Sequence, residues 1–206
     1  MSEREEWISS FFGKFYREAY VTLGVFDKRD AEEEVKQVLT LLNVQPGSHI
    51  LDWCGGWGRH SLPLAKRGYR VTLLDFCEEY VQKAKQDAEQ MGVRLDTVVA
   101  DFRNTPSAIQ ADYAVNLFTA GLGYIGKEND VIALRSLIQA LKPGALFVID
   151  TMSLFWIVRN FSESNWTASE DGQKRLLQKR AFDFWTNTEN CLDIHQDVGT
   201  SIEESR

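Results

Sequence analysis

Hydrophobic and polar positions change period several times along this chain. In residues 7–20 (WISSFFGKFYREAY), Trp7, Phe11 and Phe15 recur at every fourth place, with Ile8, Phe12 and Tyr16 as a second line. That spacing predicts an aromatic helical face that packs over the following domain as a lid. Val35, Val38, Leu39 and Leu42 predict a second helix over 30–43. Pro46-Gly47 breaks the chain there. Short apolar runs then alternate with amphipathic stretches. Strands are predicted at 49–54, 69–75, 95–101, 111–118 and 145–151. Between them lie a helix from Arg59 to Gly68, a helix carrying Val81, Ala84, Ala88 and Met91 and stopped by Gly92, and a helix over 129–141. The last has Val131, Leu134, Leu137, Ile138 and Leu141 assigned inward, and Lys142-Pro143-Gly144 ends it.

Strands that are apolar nearly throughout and alternate with helices predict an α/β fold, an open parallel sheet covered on both faces. Three segments follow: a helical cap over 1–45, a sheet-bearing core over 46–152, and an appendage over 153–206. Within the appendage, 174–185 and 190–198 flank the polar TNTE stretch and predict an antiparallel hairpin. The closing GTSIEESR is expected to be solvated or disordered.

Composition narrows the partners more than the fold. With 206 residues, the chain suits one domain with a small addition. Its net charge of -7 works against a phosphate backbone, so nucleic acid is not the expected partner. The KRLLQKR run (174–180) is short and is read as one solvated strand edge. No stretch is long and apolar enough to span a membrane, and no secretory leader is read at the N-terminus, so a cytoplasmic protein is expected. Cys54, Cys77 and Cys191 give no disulfide framework, and with His49, His60 and His195 they form no metal-ligand spacing.

The chemistry concentrates in LDWCGGWGRHS (51–61), a turn that leaves a buried strand and opens a helix. Glycines there let backbone approach a ligand, and free N–H groups at the helix start can hold an anionic group. Asp75 ends the second strand, about twenty residues beyond the turn, where nucleotide-binding sheets place an acid for ribose hydroxyls. Asp101 ends the third strand. Any one of these acids alone reads as a cap or a surface aspartate. Asp52, Asp75 and Asp101, at the carboxyl ends of three adjacent strands, together point to the crevice where such sheets bind ligands. No GK[ST] follows the turn, so it is not a P-loop. Position 61 is Ser61 rather than a third small glycine, and Trp57 stands where a diphosphate needs room, which weighs against a dinucleotide.

These residues resemble motif I and the following strand of the class I S-adenosyl-L-methionine-dependent methyltransferases. The resemblance covers about 45–151. In that pattern an acid precedes alternating glycines; here they read Asp52, Cys54, Gly56 and Gly58, so Cys54 replaces the first glycine. The resemblance implies S-adenosyl-L-methionine as cofactor. It implies that the loop of Asp52, Cys54, Gly55, Gly56, Trp57 and Gly58 meets the methionine moiety. Asp75 would hold the ribose, with Phe76 beside the adenine. Asp101 would take the adenine amino group, with Phe102 packed nearby. The run Asn116, Leu117, Phe118 resembles the segment under the cofactor in a small-molecule-methylating subgroup. The loop after it, with Tyr124, would face the acceptor.

Methyl transfer from a sulfonium needs alignment and water exclusion more than a strong acid or base. That fits the lack of a Ser-His-Asp or Cys-His set. Tyr124 is the candidate catalytic residue, against a plain packing role. His60 is expected to pack or cap. Tyr16 and Tyr20 either line the pocket or pack, and Trp156 and Trp166 either meet substrate or bury a lid. The family sheet ends in an antiparallel pair, strands six and seven, and the chain stops at Arg206 before any such elements. The expectation is a shortened sheet whose fifth strand is an exposed edge, prone to self-association. Two other readings stay open: a cofactor-binding but inactive protein, and a nucleotide-dependent oxidoreductase.

Overall fold

Parallel pairing of short, largely apolar strands builds the sheet of the larger compact unit. The computed structural model describes residues 3–21, 23–24, 30–118, 120–186, 188–197 and 201–205. The chain divides into two compact units, Asp30–Met152 and a second made of Met1–Arg29 with Ser153–Arg206.

In the first unit, β1 (His49–Trp53), β2 (Arg70–Asp75), β3 (Asp96–Val99), β4 (Ala111–Asn116) and β5 (Leu141–Ile149) form one sheet in the order β3-β2-β1-β4-β5. All four pairings are parallel. The strand order reverses between β1 and β4, the place where open α/β sheets bind ligands. Every residue of β1 is buried, because helices cover both faces. On one face Val35, Val38 and Leu42 pack with Ile50, Leu64 and Val71; on the other Leu51, Trp53 and Leu74 pack with Ala133 and Leu137. Full burial of each such large side chain contributes roughly 1.5–3 kcal/mol.

The helices begin and end where their chemistry dictates. Asp30 accepts the N–H groups of Glu32 and Glu33 at 2.9 and 3.4 Å, capping α2 (Ala31–Leu41), an interaction worth about 1 kcal/mol. This helix belongs to the compact unit of the sheet, although the sequence reading placed it in the N-terminal cap. Its Val35 and Val38 reach the β1 core, so the division falls at Arg29–Asp30. After α3 (Ser61–Lys66), α4 (Glu78–Met91) ends on Gly92 at φ +68°, the left-handed stop expected there. In α5 (Lys127–Gln139) the inward face is Ala133, Ser136 and Leu137, while Val131 and Ile138 are exposed. That corrects part of the expected stripe: Leu134, Leu137 and Leu141 pack inward as expected, whereas Val131 and Ile138 turn outward and the small Ala133 and Ser136 are buried. Lys142-Pro143-Gly144 does not precede the fifth strand but lies within β5, where the register against β4 shifts between Ala111 and Tyr113.

The second unit departs further from expectation. The aromatic N-terminal stretch is not one regular helix: α1 (Glu3–Ser10) runs into π-helical turns at Phe11–Phe15 and Arg17–Val21, with non-helical backbone at Gly13. Phe11, Phe15 and Ala19 pack with Leu176. The expected hairpin is the middle of a four-stranded antiparallel sheet, β6 (Ser164–Ala168), β7 (Lys174–Asp183), β8 (Thr188–Asp197) and β9 (Ser201–Ser205). The segment Ser201–Ser205, expected to be solvated or disordered, pairs with β8, its backbone completing a ladder that its polar sequence does not advertise. In chain order α6 (Leu154–Asn160) follows β5 and precedes β6. Trp156 and Trp166 are exposed, at 58% and 67%. Among the described residues, no helix is long and apolar enough to cross a membrane.

Candidate functional site at the carboxyl ends of the parallel strands

The turn after β1 takes the backbone through left-handed conformations at Cys54 (φ +64°), Gly56 (φ +57°) and Gly58 (φ +86°). Cys54 stands in the glycine position of the motif, and its backbone adopts the glycine-like conformation regardless, at a cost of about 1–2 kcal/mol. The glycines have separate reasons. A Cβ on Gly55 would come within 2.8 Å of the Asp52 carboxylate, and one on Gly58 would lie 3.0 Å from the Ala84 methyl. A Cβ on Gly56 meets nothing within 4 Å, so that glycine serves the turn and the open space above it.

The acids divide their work. Asp52 lies beneath the turn, 1% exposed, and accepts the Ser61 hydroxyl at 2.6 Å. It ties the turn to the first residue of α3; burial raises its pKa above the usual carboxylate range, and His60 and Ser61 counter the rise. Asp75 faces the turn from the end of β2. One of its oxygens accepts the Gly56 N–H and the other the Cys77 N–H, each at 2.9 Å. Burial pushes it up to about 6, with those amide donors opposing. Asp101 caps the turn of 3₁₀ helix Phe102–Asn104 through the Arg103 N–H at 2.8 Å and is clasped by the Arg103 guanidinium at 3.0, 3.0 and 2.6 Å. All three carboxylates act on Cys54: burial first, then Asp75, Asp52 and Asp101, hold its thiol well above the ordinary range. A thiol held in that direction is a poor nucleophile, and the Cys54 sulfur packs against Gly121.

Across the switch point, Asn116 ends β4, 2% exposed. Its amide donates to the Trp53 carbonyl at 2.7 Å, while its Oδ1 is buried with no hydrogen-bond partner. A buried acceptor left open costs about 1–3 kcal/mol and marks a place for a ligand's donor. Leu117 is buried in the core, whereas Phe118 takes a left-handed φ of +67° and donates its N–H to Asp150 at 3.2 Å. A bulky residue in that conformation is strained, and such strain gathers at functional sites. Gly121 (φ +76°) lies against Cys54, so closely that a Cβ there would be 2.6 Å from the sulfur, and 3.5 Å from the Phe102 ring. Phe102 in turn packs against Trp53, with ring centroids 5.4 Å apart.

The structure thus gathers Cys54, Gly55, Gly56, Asp75, Asn116 and Phe118 at the switch point, with Asp101 and Phe102 beside them. Phe76 is partly exposed at the start of the loop before α4, and Trp57 meets Tyr80 edge-on at 5.3 Å. Tyr124 is half-buried in the loop after β4. Tyr20 belongs to the other unit, where it donates to Asp193 and accepts from Gln178.

Sequence reasoning passed over Glu34, Arg59, Arg103 and Asn129. His60 is buried at the N-cap of α3, as expected, but its side chain makes no cap bond; its Nε2 lies 2.8 Å from Glu34 of α2, which also pairs with Arg59. The Arg59 guanidinium stands over the Phe118 ring at 5.1 Å. An arginine directly after the glycine turn was the available signal.

A set of acceptors of this kind beside the glycine turn fits an adenosyl amino acid. Asp75 offers carboxylate lone pairs for ribose hydroxyls, Asn116 an open acceptor for an amino group, and Gly56 a surface clear of side chains. The match with known proteins points the same way. The profile of the methyltransferase domain matches residues 50–144. A putative methyltransferase, YqeM, of Bacillus subtilis is 30% identical over 133 residues, covering 64% of this chain and 53% of its own length. The tRNA 5-carboxymethoxyuridine methyltransferase of Escherichia coli K12 is 28% identical over 136 residues, covering 65% of this chain and 51% of its own. The chain spans about half the length of these relatives. In fold it is similar to the CcbJ methyltransferase of Streptomyces caelestis, at a TM-score of 0.70 and 20% identity over 85% of this chain and 70% of that one. Strand order, glycine turn and sequence match agree: residues 50–144 match the methyltransferase domain, and the fold is similar to that of known methyltransferases.

Proposed function

We propose that this protein binds S-adenosyl-L-methionine at the β1/β4 switch point and transfers its methyl group to a small-molecule acceptor. The observation that carries the reading is the pairing of Asp75 on one side of the glycine turn with the open, buried Asn116 Oδ1 on the other. Asp75 would hold the ribose hydroxyls, and Phe76, Asp101 and Phe102 the adenine. The turn from Cys54 to Gly58 and the run Asn116–Phe118 would hold the amino acid part.

When bound, the sulfonium supplies an electrophilic methyl carbon. The protein's task is then to align an acceptor with that carbon and keep water out. Tyr124 lies in the loop that would border the acceptor, and its hydroxyl would orient the acceptor's nucleophilic atom. No strong base is required for an amine or thiol acceptor.

A small acceptor is favoured over RNA by the charge of -7. The basic run of β7 does not make a patch either: Arg175 and Lys179 are exposed, while Arg180 is drawn inward to Gln178 and Glu189. Relatives named for tRNA and rRNA make RNA the competitor to test. The experiment supplies methyl-labelled cofactor with a panel of small amines, hydroxyl compounds and thiols, and separately with total RNA. Label in a small product supports the reading. Label in RNA alone refutes the acceptor class. Cofactor binding with no label in any arm favours the inactive alternative.

A further inference from the structure

The loop between β4 and α5 is fastened to the adenine side of the crevice by side chains to which the cofactor reading gives no role. Arg103 uses one edge of its guanidinium, Nε and Nη2, on the Asp101 carboxylate. The remaining Nη1 donates to Asn129 Oδ1 at 3.1 Å. Asn129, in the first turn of α5, donates its Nδ2 to the Ile125 carbonyl at 2.9 Å. The direction of this line is fixed. A guanidinium only donates, so Asn129 must present its oxygen to Arg103 and its NH₂ to Ile125. Ile125 is buried, 7% exposed, directly after Tyr124. Two further contacts hold the same loop. Gly121 packs on Cys54 and Phe102, and the Gly123 N–H donates to Asp130 at 3.0 Å.

We propose that Arg103 and Asn129 are positioning residues: they form a relay, Asp101–Arg103–Asn129–Ile125, through which seating the adenine at Asp101 fixes the loop that carries Tyr124. The inference rests on the cofactor reading above. Its physical basis is the planar fork of arginine, which takes a carboxylate with two N–H groups and still offers a third in a set direction; lysine has no such geometry. Asp101 is the member open to a ligand, its side chain 34% exposed, whereas Ile125 is interior. A change at the exposed end therefore reaches the loop through oriented hydrogen bonds. Coupling of this kind is reciprocal, so a fixed loop also favours the bound cofactor.

The test is hydrogen exchange of the full chain, read on peptides spanning 120–126, with and without saturating S-adenosylhomocysteine. Calorimetry on the same samples reports binding. In wild type the ligand should slow exchange across the segment. Asn129→Asp keeps an acceptor for Arg103 and removes the donor to Ile125. It should bind within about tenfold of wild type, the scale of one hydrogen bond, yet lose the ligand-induced protection. Arg103→Lys should lose it as well, and Asn129→Ala repeats the test should the aspartate perturb folding. Full ligand-induced protection in these variants would overturn the relay, as would a wild type that binds the ligand without protection of the loop. A wild type that does not bind S-adenosylhomocysteine would instead overturn the cofactor reading, and the relay with it.

Discussion

Lowering the pH should weaken cofactor binding through one group, Asp75. The carboxylate is buried at the end of β2, and burial raises it from 3.8 to about 6. Ribose hydroxyls need it as an acceptor, which is its ionised form. With a value near 6 in the free protein, about half the molecules are competent at that pH and about one in eleven a unit lower. The apparent Kd should therefore rise roughly tenfold between about pH 7 and pH 5. Below pH 7 the cofactor's own amino group is charged and adds little to the slope. Binding near pH 6 should also release about half a proton, so the calorimetric enthalpy should depend on the ionisation enthalpy of the buffer. Titration with S-adenosylhomocysteine in buffers of contrasting ionisation enthalpy measures both. An affinity flat across that window, with a buffer-independent enthalpy, would refute the assignment of Asp75 to the ribose.

The same shift predicts a stability profile for the unliganded protein. A raised acid binds more protons folded than unfolded, so its stabilising effect is full below about pH 4 and is lost as pH rises through about 6, a change of about 3 kcal/mol in this contribution; denaturant titrations of wild type and Asp75→Ala across that window should differ in slope. At the strained Cys54, Cys54→Val should cost about 2 kcal/mol or more, because a β-branched side chain disfavours positive φ, whereas Cys54→Gly should stay within about 1 kcal/mol; thermal unfolding compares them. Gly121→Ala should clash with the Cys54 sulfur, and Cys54→Gly should relieve part of that loss, so a double-mutant cycle should show favourable coupling. Thr105→Val removes the acceptor of the Trp53 indole N–H, 2.9 Å away and buried, and should cost about 1–3 kcal/mol in chemical denaturation.

The parallel core was legible because its strands are short apolar runs separated by helices with clear stops, such as Gly92 after α4. The glycine turn and Asp75 were legible for a related reason: backbone approach and a strand-end acid are local requirements that spacing displays. Asp52 is different. Its position in the motif suggested a place in the crevice, but the fold turns it under Gly55 to Ser61. Periodicity read α5 in part: Leu134 and Leu137 pack inward, but Val131 and Ile138 are exposed, and the small Ala133 and Ser136 are buried without standing out in the hydrophobic pattern. The antiparallel unit was half legible. Its central hairpin alternates, but SNWTA and SIEES are strands by virtue of their neighbours. The relay from Arg103 to Ile125 joins residues on separate elements, so no window of sequence contains it.

The central claim is cofactor binding by this chain. Calorimetric titration of the purified protein with S-adenosyl-L-methionine and S-adenosylhomocysteine, beside Asp75→Ala, tests it most directly. Binding of both ligands by the wild type, with strong loss in the variant, is the predicted result. A folded wild type that binds neither, or a variant that binds as tightly as wild type, would contradict it.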